Sequence, residues 1–248
     1  MRSRSYNLAI ETASRHGSLA LGRGDELLAT VALPVQRRHR VGLLPGIAAI
    51  CAEHDVTAGD LGELYVSLGP GSFTGLRVAM ASAATLSLAQ PVKIVGVPTL
   101  EALARNTPTE HERVAVCLNV KRGTAWSAVY EREGDGWRII VEPALRSLGE
   151  LLELAARPTA LLGDPLPTPP EVPEPWPAGV TVLNGELARP RAEAVWRIGR
   201  ERARQQMFIP PADLRPIYAR EPEAVTLWNQ RHAPAAAPSP NPKLEIRN

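Results

Sequence analysis

Aromatic side chains are scarce in this chain of 248 residues, where they make up only 4% of the sequence. Because 44% of the residues are nonetheless hydrophobic, the core has to be built from leucine, valine, isoleucine and alanine. An excess of charge of one sign is also missing, since the formal net charge is +2. Overall charge therefore gives no sign of a polyanion-binding protein, and such a role has to come from local patches.

Cysteine and long apolar runs are scarce as well. Cys51 and Cys117 each lie in an apolar stretch, which favours two small core residues in a reducing compartment over a disulfide. No run of about 18 apolar residues exists, so no transmembrane helix is expected. The opening MRSRSYNLAIETA lacks the apolar stretch of a signal peptide. We therefore expect a cytoplasmic protein without a membrane partner.

The chain up to Arg105 follows the order βββαβαβα, which is typical of a ribonuclease-H-like lobe. Alternating apolar residues predict the strands, and apolar residues at helical spacing predict the helices. The predicted strands are Leu8–Thr12, Ser18–Leu21, Leu27–Leu33, Leu64–Leu68 and Val92–Val97, and the predicted helices are Val41–His54, Gly75–Ala89 and Thr99–Arg105.

The same order restarts after Arg105. LAIETASRHGSLAL and VCLNVKRGTAWSAV share an apolar strand, a polar end, a basic turn with glycine and a second strand. Two degenerate copies predict an α/β fold with two ribonuclease-H-like lobes of the actin-like (ASKHA) superfamily. The second set is predicted as strands Val114–Asn119, Thr124–Glu131, Trp137–Glu142 and Thr159–Gly163, with a helix at Leu148–Ala156.

These patterns give a domain prediction. Residues 1–105 form the first lobe and residues 106–225 a degenerate second lobe, and the late helix of residues 190–207 could pack back onto the first. The proline-rich segment 165–177 can hold neither a helix nor a central strand. Residues 232–248 lack apolar periodicity and are predicted to be a disordered tail.

The most distinctive motif is LGPGSFTGLR, residues 68–77. It predicts a strand end, a glycine-rich turn and a helix N-terminus, whose free N–H groups could hold an anion. It is not a Walker A loop, because no Gly-Lys-Ser/Thr follows. The motif alone favours the alternative, in which the glycines let the strand turn sharply into a closely packed helix.

The helix that follows this motif lacks a charged face. After Arg77 no charged residue appears until Lys93. A helix of this kind is usually buried on both sides. A partner chain could supply the second cover, and so could the other lobe or the late helix.

Four segments, LAIETA, RHRVGLLPGI, LGPGSFTGLRVAMASAATL and GVPTLEALA, resemble the bacterial TsaB (YeaZ) family, and PIYAREPEA resembles that family's C-terminal signature. The resemblance covers about residues 6–225 and is dense before Arg105. It implies a non-catalytic subunit that binds and activates TsaD. Together with TsaE, this pair would serve in N6-threonylcarbamoylation of adenosine 37 in tRNAs that read ANN codons.

The resemblance also implies a binding surface. The two long helices of the first lobe are expected to pack on the matching helices of TsaD, and the same face is expected to form a homodimer when TsaD is missing. The candidate interface residues are Leu43, Leu44, Ile47, Phe73, Leu76, Met80 and Ala83.

Catalysis is not expected. TsaD carries a metal-binding His-x-x-x-His pair on the helix after the fifth strand, and the matching positions here are Thr99 and Leu103. Leucine cannot ligate a metal, and the five histidines are scattered. We therefore expect no metal site and no catalytic residues.

Nucleotide binding is weakened too. Actin-like ATPases usually place an aspartate at the end of each lobe's first strand, where this chain has Glu11 and Asn119. We expect no cofactor, and at most weak ATP or ADP binding at Glu11, Thr12 and Asn119. The competing hypothesis is an actin-like ATPase or a metallopeptidase-like enzyme acting alone.

Basic residues form two groups. Arg37, Arg38 and Arg40 precede the first helix and are the candidate contacts to tRNA phosphate in the assembled complex. The arginines between Arg189 and Arg204 are interpreted as a solvated helix face with intrahelical ion pairs. A direct RNA-binding module is the third hypothesis.

Overall fold

The computed structural model describes residues 5–34, 39–121, 123–154, 159–164 and 178–219, together with Trp228 and His232. Residues 35–38 lie outside these ranges, and with them the candidate tRNA contacts Arg37 and Arg38. The proline-rich segment 165–177 and the tail from residue 233 lie outside them as well.

The first sheet carries five strands in the order β3-β2-β1-β4-β5, with antiparallel pairing from β3 to β1 and parallel pairing from β1 to β5. Its elements are β1 Tyr6–Glu11, β2 Ser18–Arg23, β3 Glu26–Ala32, α1 His39–Ala52, β4 Leu61–Gly69, α2 Phe73–Ala89, β5 Lys93–Pro98 and α3 Thr99–Ala104.

The second sheet repeats this topology in the order β10-β9-β6-β7-β8. Pairing is antiparallel from β8 to β6 and parallel from β6 to β10. The fold-class prediction is therefore confirmed. The elements are β6 Arg113–Lys121, β7 Thr124–Glu133, β8 Gly136–Ser147, α4 Leu148–Leu154, β9 Thr159–Asp164 and β10 Val180–Val182, followed by α5 Ala192–Arg204.

Two elements of the second sheet differ from prediction. Strand β10 was not predicted, because three residues after a proline-rich segment give no readable alternation. Strand β8 continues to Ser147 rather than stopping at Glu142, although Pro143 lies within it. Since β8 is an edge strand, a residue without an N–H group is tolerated there.

Side-chain alternation in β1 gives the first sheet two buried faces. Leu8 and Ile10 pack into the cluster that contains residues of α1 and α2, whereas Ala9 packs into a second cluster with α5. The indole N–H of Trp196 in α5 donates to Asn7 Oδ1 at 2.5 Å, and both atoms are buried. The late helix therefore packs on the first sheet, opposite α1 and α2.

Helix α3 lies between the two sheets. Ala102 belongs to the cluster under α5, while Leu100 and Leu103 pack with Val114 and Val116 of the second sheet. The far face of the second sheet is covered by α4, through Leu151 and its neighbours. None of the described helices combines the length and the hydropathy needed to cross a bilayer.

Replacement of Gly199 in α5 by alanine is predicted to destabilise the fold. A Cβ there would lie 2.3 Å from Cγ of the buried Tyr65, so either the helix or the ring has to move. Overpacking of this kind costs about 2 kcal/mol and exceeds the gain in helix propensity of about 1 kcal/mol. Urea denaturation measures the change in the free energy of unfolding.

Gly149→Ala in α4 is the matched control, because the nearest atom to its added Cβ is Ser147 Oγ at 4.0 Å. This variant should be neutral or slightly stabilising. Equal stability changes for the two variants would mean that α5 does not pack closely on Tyr65.

Candidate partner-binding surface

Helices α1 and α2 lie side by side on one face of the first sheet and leave a largely apolar surface toward solvent. Three large apolar side chains lie on it, with exposed fractions of 80% for Leu88, 59% for Leu44 and 44% for Phe73. We call this surface the docking face. Its exposed residues are Leu44, Pro45, Ala48, Ala49, Ala52, Phe73, Thr74, Arg77, Ala81, Thr85, Leu88 and Ala89.

Five of the seven predicted interface residues point the other way. Helix α2 has small or apolar residues on both sides, so its sequence does not reveal which side faces the sheet, and the larger residues fill the core. The predicted contacts that are buried in this chain are Leu43, Ile47, Leu76, Met80 and Ala83. Leu44 and Phe73 are exposed and stay predictions. Leu88 was missed, although its position fifteen residues after Phe73 places it on the same side of the helix.

Neither of the intramolecular covers considered for α2 lies on the docking face. Helix α5 packs on the opposite face of the sheet. The apolar cluster beneath α1 and α2 contains, among the described residues, no residue of α5 or of the second sheet, although Leu214 of the late segment belongs to it. The described part of the chain therefore leaves the docking face open.

One end of the docking face is built from the chain's late segment. The Ile217 N–H donates to the Leu68 carbonyl at 2.7 Å, which brings Tyr218 onto the first turn of α2. The Tyr218 ring stacks on Phe73 with centroids 5.4 Å apart, and the Tyr218 hydroxyl accepts from Arg77 Nε at 3.0 Å. The described part of the PIYAREPEA signature thus contributes to this surface.

The glycine-rich turn is closely packed against the end of β1. The Ser72 N–H donates to the Ala13 carbonyl at 2.6 Å, and the Ser72 hydroxyl accepts from the Gly75 N–H at 3.2 Å. A Cβ on Gly71 would lie 2.3 Å from the Ala13 oxygen. These contacts support the interpretation of the motif as a sharp turn into a packed helix.

The predicted nucleotide residues are held within the fold. Glu11 is fully buried, and its Oε1 accepts from the Ala13 N–H at 2.5 Å. Its Oε2 has no hydrogen-bond partner in the described part of the chain. Thr12 Oγ1 donates to the Gly75 carbonyl at 3.0 Å. Asn119 lies in β6, but its side chain is outside the described residues.

Burial raises the pKa of Glu11 to about 7, because a charged carboxylate is poorly solvated there. The nearby Ser67 hydroxyl and the hydrogen bond from the Ala13 N–H oppose this rise in pKa only in part. Glu11 and Thr12 are therefore bonded to neighbouring parts of their own chain.

The positions that match the metal ligands of TsaD are core positions. Thr99 is fully buried with its Oγ1 3.2 Å from Ser67 Oγ, and Leu103 is fully buried against the second sheet. Within the described ranges, no group of three or more His, Cys, Asp or Glu side chains could hold a metal ion.

The arginines of the late helix are engaged in bonds to the rest of the chain. Arg200 bridges Asp25 at 2.5 Å and Glu63 at 3.0 Å, and Arg202 donates to Glu101 at 2.5 Å. Only Arg197 makes the predicted bond within the helix, to Glu193 at 3.1 Å. The expectation of intrahelical pairs is therefore wrong for Arg200, Arg202 and Arg204, whose partners lie far away in sequence. Arg40, predicted to precede the first helix, lies in the first turn of α1, and its side chain is outside the described residues.

A cavity of about 370 Å³ lies between β3 and the segment before α5. Two of the charges around it are paired, Arg189 with Glu186 and Glu193 with Arg197, and Arg191 donates to the neutral Asn106 Oδ1 at 3.2 Å. Its lining gives no set of groups that would select one ligand.

The sequence of this chain is similar to those of several known proteins. The chain is 28% identical to the tRNA threonylcarbamoyladenosine biosynthesis protein TsaB of Bacillus subtilis, over 63% of this chain and 69% of that protein. It is 26% identical to the Escherichia coli protein of the same name, over 86% of this chain and 94% of that protein. A family model described as TsaD, tRNA N6-adenosine threonylcarbamoyltransferase, matches residues 31–171, more than half of the chain.

The chain belongs to the TsaD family that this model describes, and it is similar to curated proteins named TsaB. The sequence resemblance is thereby confirmed. A crystal structure from Pseudomonas aeruginosa, described as an uncharacterized protein with similarity to peptidase YEAZ, shares the fold with a TM-score of 0.73. It is 21% identical and covers 87% of this chain and 100% of its own.

The buried Glu11 predicts a specific pH dependence of stability. The folded state holds the Glu11 proton with a pKa of about 7, whereas the unfolded state releases it near 4.5. The resulting stabilisation is complete below about pH 4.5 and is lost as the pH rises to about 7, a loss of about 3 kcal/mol.

Glu11→Gln removes this titration. The free energy of unfolding of the variant should therefore rise relative to that of wild type as the pH increases across that range. Urea denaturation of both proteins at several pH values measures the difference. Parallel curves for the two proteins would contradict the burial of a titrating carboxyl at this position.

Proposed function

We propose that this chain is a non-catalytic subunit in tRNA threonylcarbamoyladenosine biosynthesis, where it binds and activates TsaD with the help of TsaE. The observation that carries the proposal is the open docking face on α1 and α2. The names of the curated relatives support the pathway. The tRNA would be bound through the assembled complex, in the cytoplasm.

The docking face has the character of a protein interface. Large apolar side chains that protrude alone are common on protein surfaces, but Leu44, Phe73 and Leu88 share one face with a series of alanines. Each square ångström of apolar surface removed from water contributes about 25 cal/mol. Two adjacent helices of 14 and 17 residues offer a continuous surface for this burial.

A surface role fits the state of the residues that would otherwise perform chemistry. Glu11 and Thr12 are buried and bonded to their own chain, and Thr99 and Leu103 are core residues. We propose that the chain works without a bound cofactor and without its own active site. An ATPase or peptidase acting alone has no comparable support from the described residues.

The test is size-exclusion chromatography with light scattering, on the chain alone and mixed with TsaD of the same organism. We expect a homodimer alone and a one-to-one complex in the mixture. Leu88→Arg and Ala81→Arg place a charge in the apolar contact and should abolish both species while leaving a folded monomer. Met80→Arg and Ala83→Arg are unsuitable, because both positions are buried and a charge there would disturb folding.

Ile139→Arg is the matched control, since Ile139 is a large apolar residue of the second lobe with an exposed fraction of 39%. This variant should form both species normally. A wild-type chain that stays monomeric in the presence of TsaD would contradict the proposal, as would docking-face variants that bind TsaD with unchanged affinity.

A further inference from the structure

Arg77 is the one charged side chain among the described exposed residues of the docking face. Helix α2 contains no other charged residue between Phe73 and Ala89, and the exposed part of α1 from Leu44 to Ala52 contains none. A single cation on an apolar surface is costly to bury unless the partner supplies an anion.

The guanidinium group of Arg77 is held in place on two sides. Its Cζ lies 3.9 Å from the centroid of the Phe73 ring, and its Nε donates to the Tyr218 hydroxyl at 3.0 Å. Tyr218 is itself fixed by its stacking on Phe73 and by the backbone bond from Ile217 to Leu68. The side chain therefore loses little additional freedom when a ligand binds it.

The remaining donors of this guanidinium group are unused in the described part of the chain, where Arg77 makes no ion pair. A guanidinium group that is stacked on an aromatic ring and held through Nε still presents its two terminal nitrogens. A carboxylate matches that planar pair of donors.

We propose that Arg77 receives a carboxylate of the partner subunit and so favours the heterodimer over the homodimer. This inference rests on the proposed function, because it assigns a recognition role within the same docking face. The fitting occupant is a protein surface with an apolar patch and one carboxylate at its edge.

Self-association lacks this complementary charge. A second copy of the docking face adds another Arg77 but no carboxylate within the exposed stretches that define it. Burying the cation unpaired opposes the homodimer, whereas an anionic partner offsets the desolvation of the guanidinium group. Charge complementarity therefore sets partner choice, while the apolar residues provide contact area to either partner.

The deciding experiment compares wild type with Arg77→Met, which keeps the aliphatic stem and removes the charge. The dissociation constants for TsaD and for self-association are measured at about 50 mM and about 300 mM NaCl. We expect Arg77→Met to weaken the TsaD complex about tenfold to a hundredfold at low salt and to reduce the salt dependence of its affinity. Homodimer affinity should be unchanged or higher.

Two further variants test the geometry. Arg77→Lys keeps the charge without the planar pair of donors and should recover only part of the affinity. Tyr218→Phe removes the hydroxyl that holds Nε but keeps the stacked ring, and should weaken the TsaD complex about threefold to tenfold. Thermal denaturation of each variant separates these effects from a loss of folding.

An Arg77→Met variant that binds TsaD with wild-type affinity and salt dependence would overturn the inference. The proposed function would stand, provided that Leu88→Arg still abolishes the complex. The double variant Glu221→Gln with Glu223→Gln removes the two carboxylates that follow Tyr218 in the sequence. If it weakens the complex as Arg77→Met does, the anion belongs to this chain and the inference is also overturned.

Discussion

The docking of α5 on the first sheet is the constraint on which the rest of the molecule depends. Gly199 lets the helix approach the ring of Tyr65, and Trp196 reaches Asn7 of β1. Ion pairs from Arg200 and Arg202 fix the helix to three other elements of the first lobe. Because α5 covers this face of the first sheet, α1 and α2 cover the other face, and their outer sides stay exposed.

The end of β1 is the position at which actin-like ATPases usually carry an aspartate for the metal–phosphate unit. Here Ala13 accepts a hydrogen bond from Ser72, and Thr12 donates to Gly75, so the end of β1 holds the first turn of α2. The residues that correspond to a nucleotide site thus position one helix of the docking face. Their observed contacts give structural support to that surface.

The sequence predicted the topology well, because strand alternation and the glycine-rich turn are local signals. Both five-stranded sheets follow from them, apart from the short β10. The rotation of α2 could not be predicted, since alanine and serine on both sides leave no hydrophobic contrast, and Met80 was therefore placed on the wrong side. The partners of the late arginines could not be predicted either. Arg200 contacts Asp25, which lies 175 positions away, and hydrophobic periodicity does not indicate a contact of this kind.

Glu11 has one methylene group more than the aspartate that actin-like ATPases usually carry at the end of this strand. An aspartate at the end of β1 would carry its carboxylate on a shorter stem, whereas the glutamate reaches the N–H of Ala13 two residues later. That bond fixes the backbone segment whose carbonyl holds Ser72, the N-cap of α2. Burial raises the pKa of Glu11 to about 7. This side chain therefore stabilises the start of the helix that carries Phe73 and Arg77.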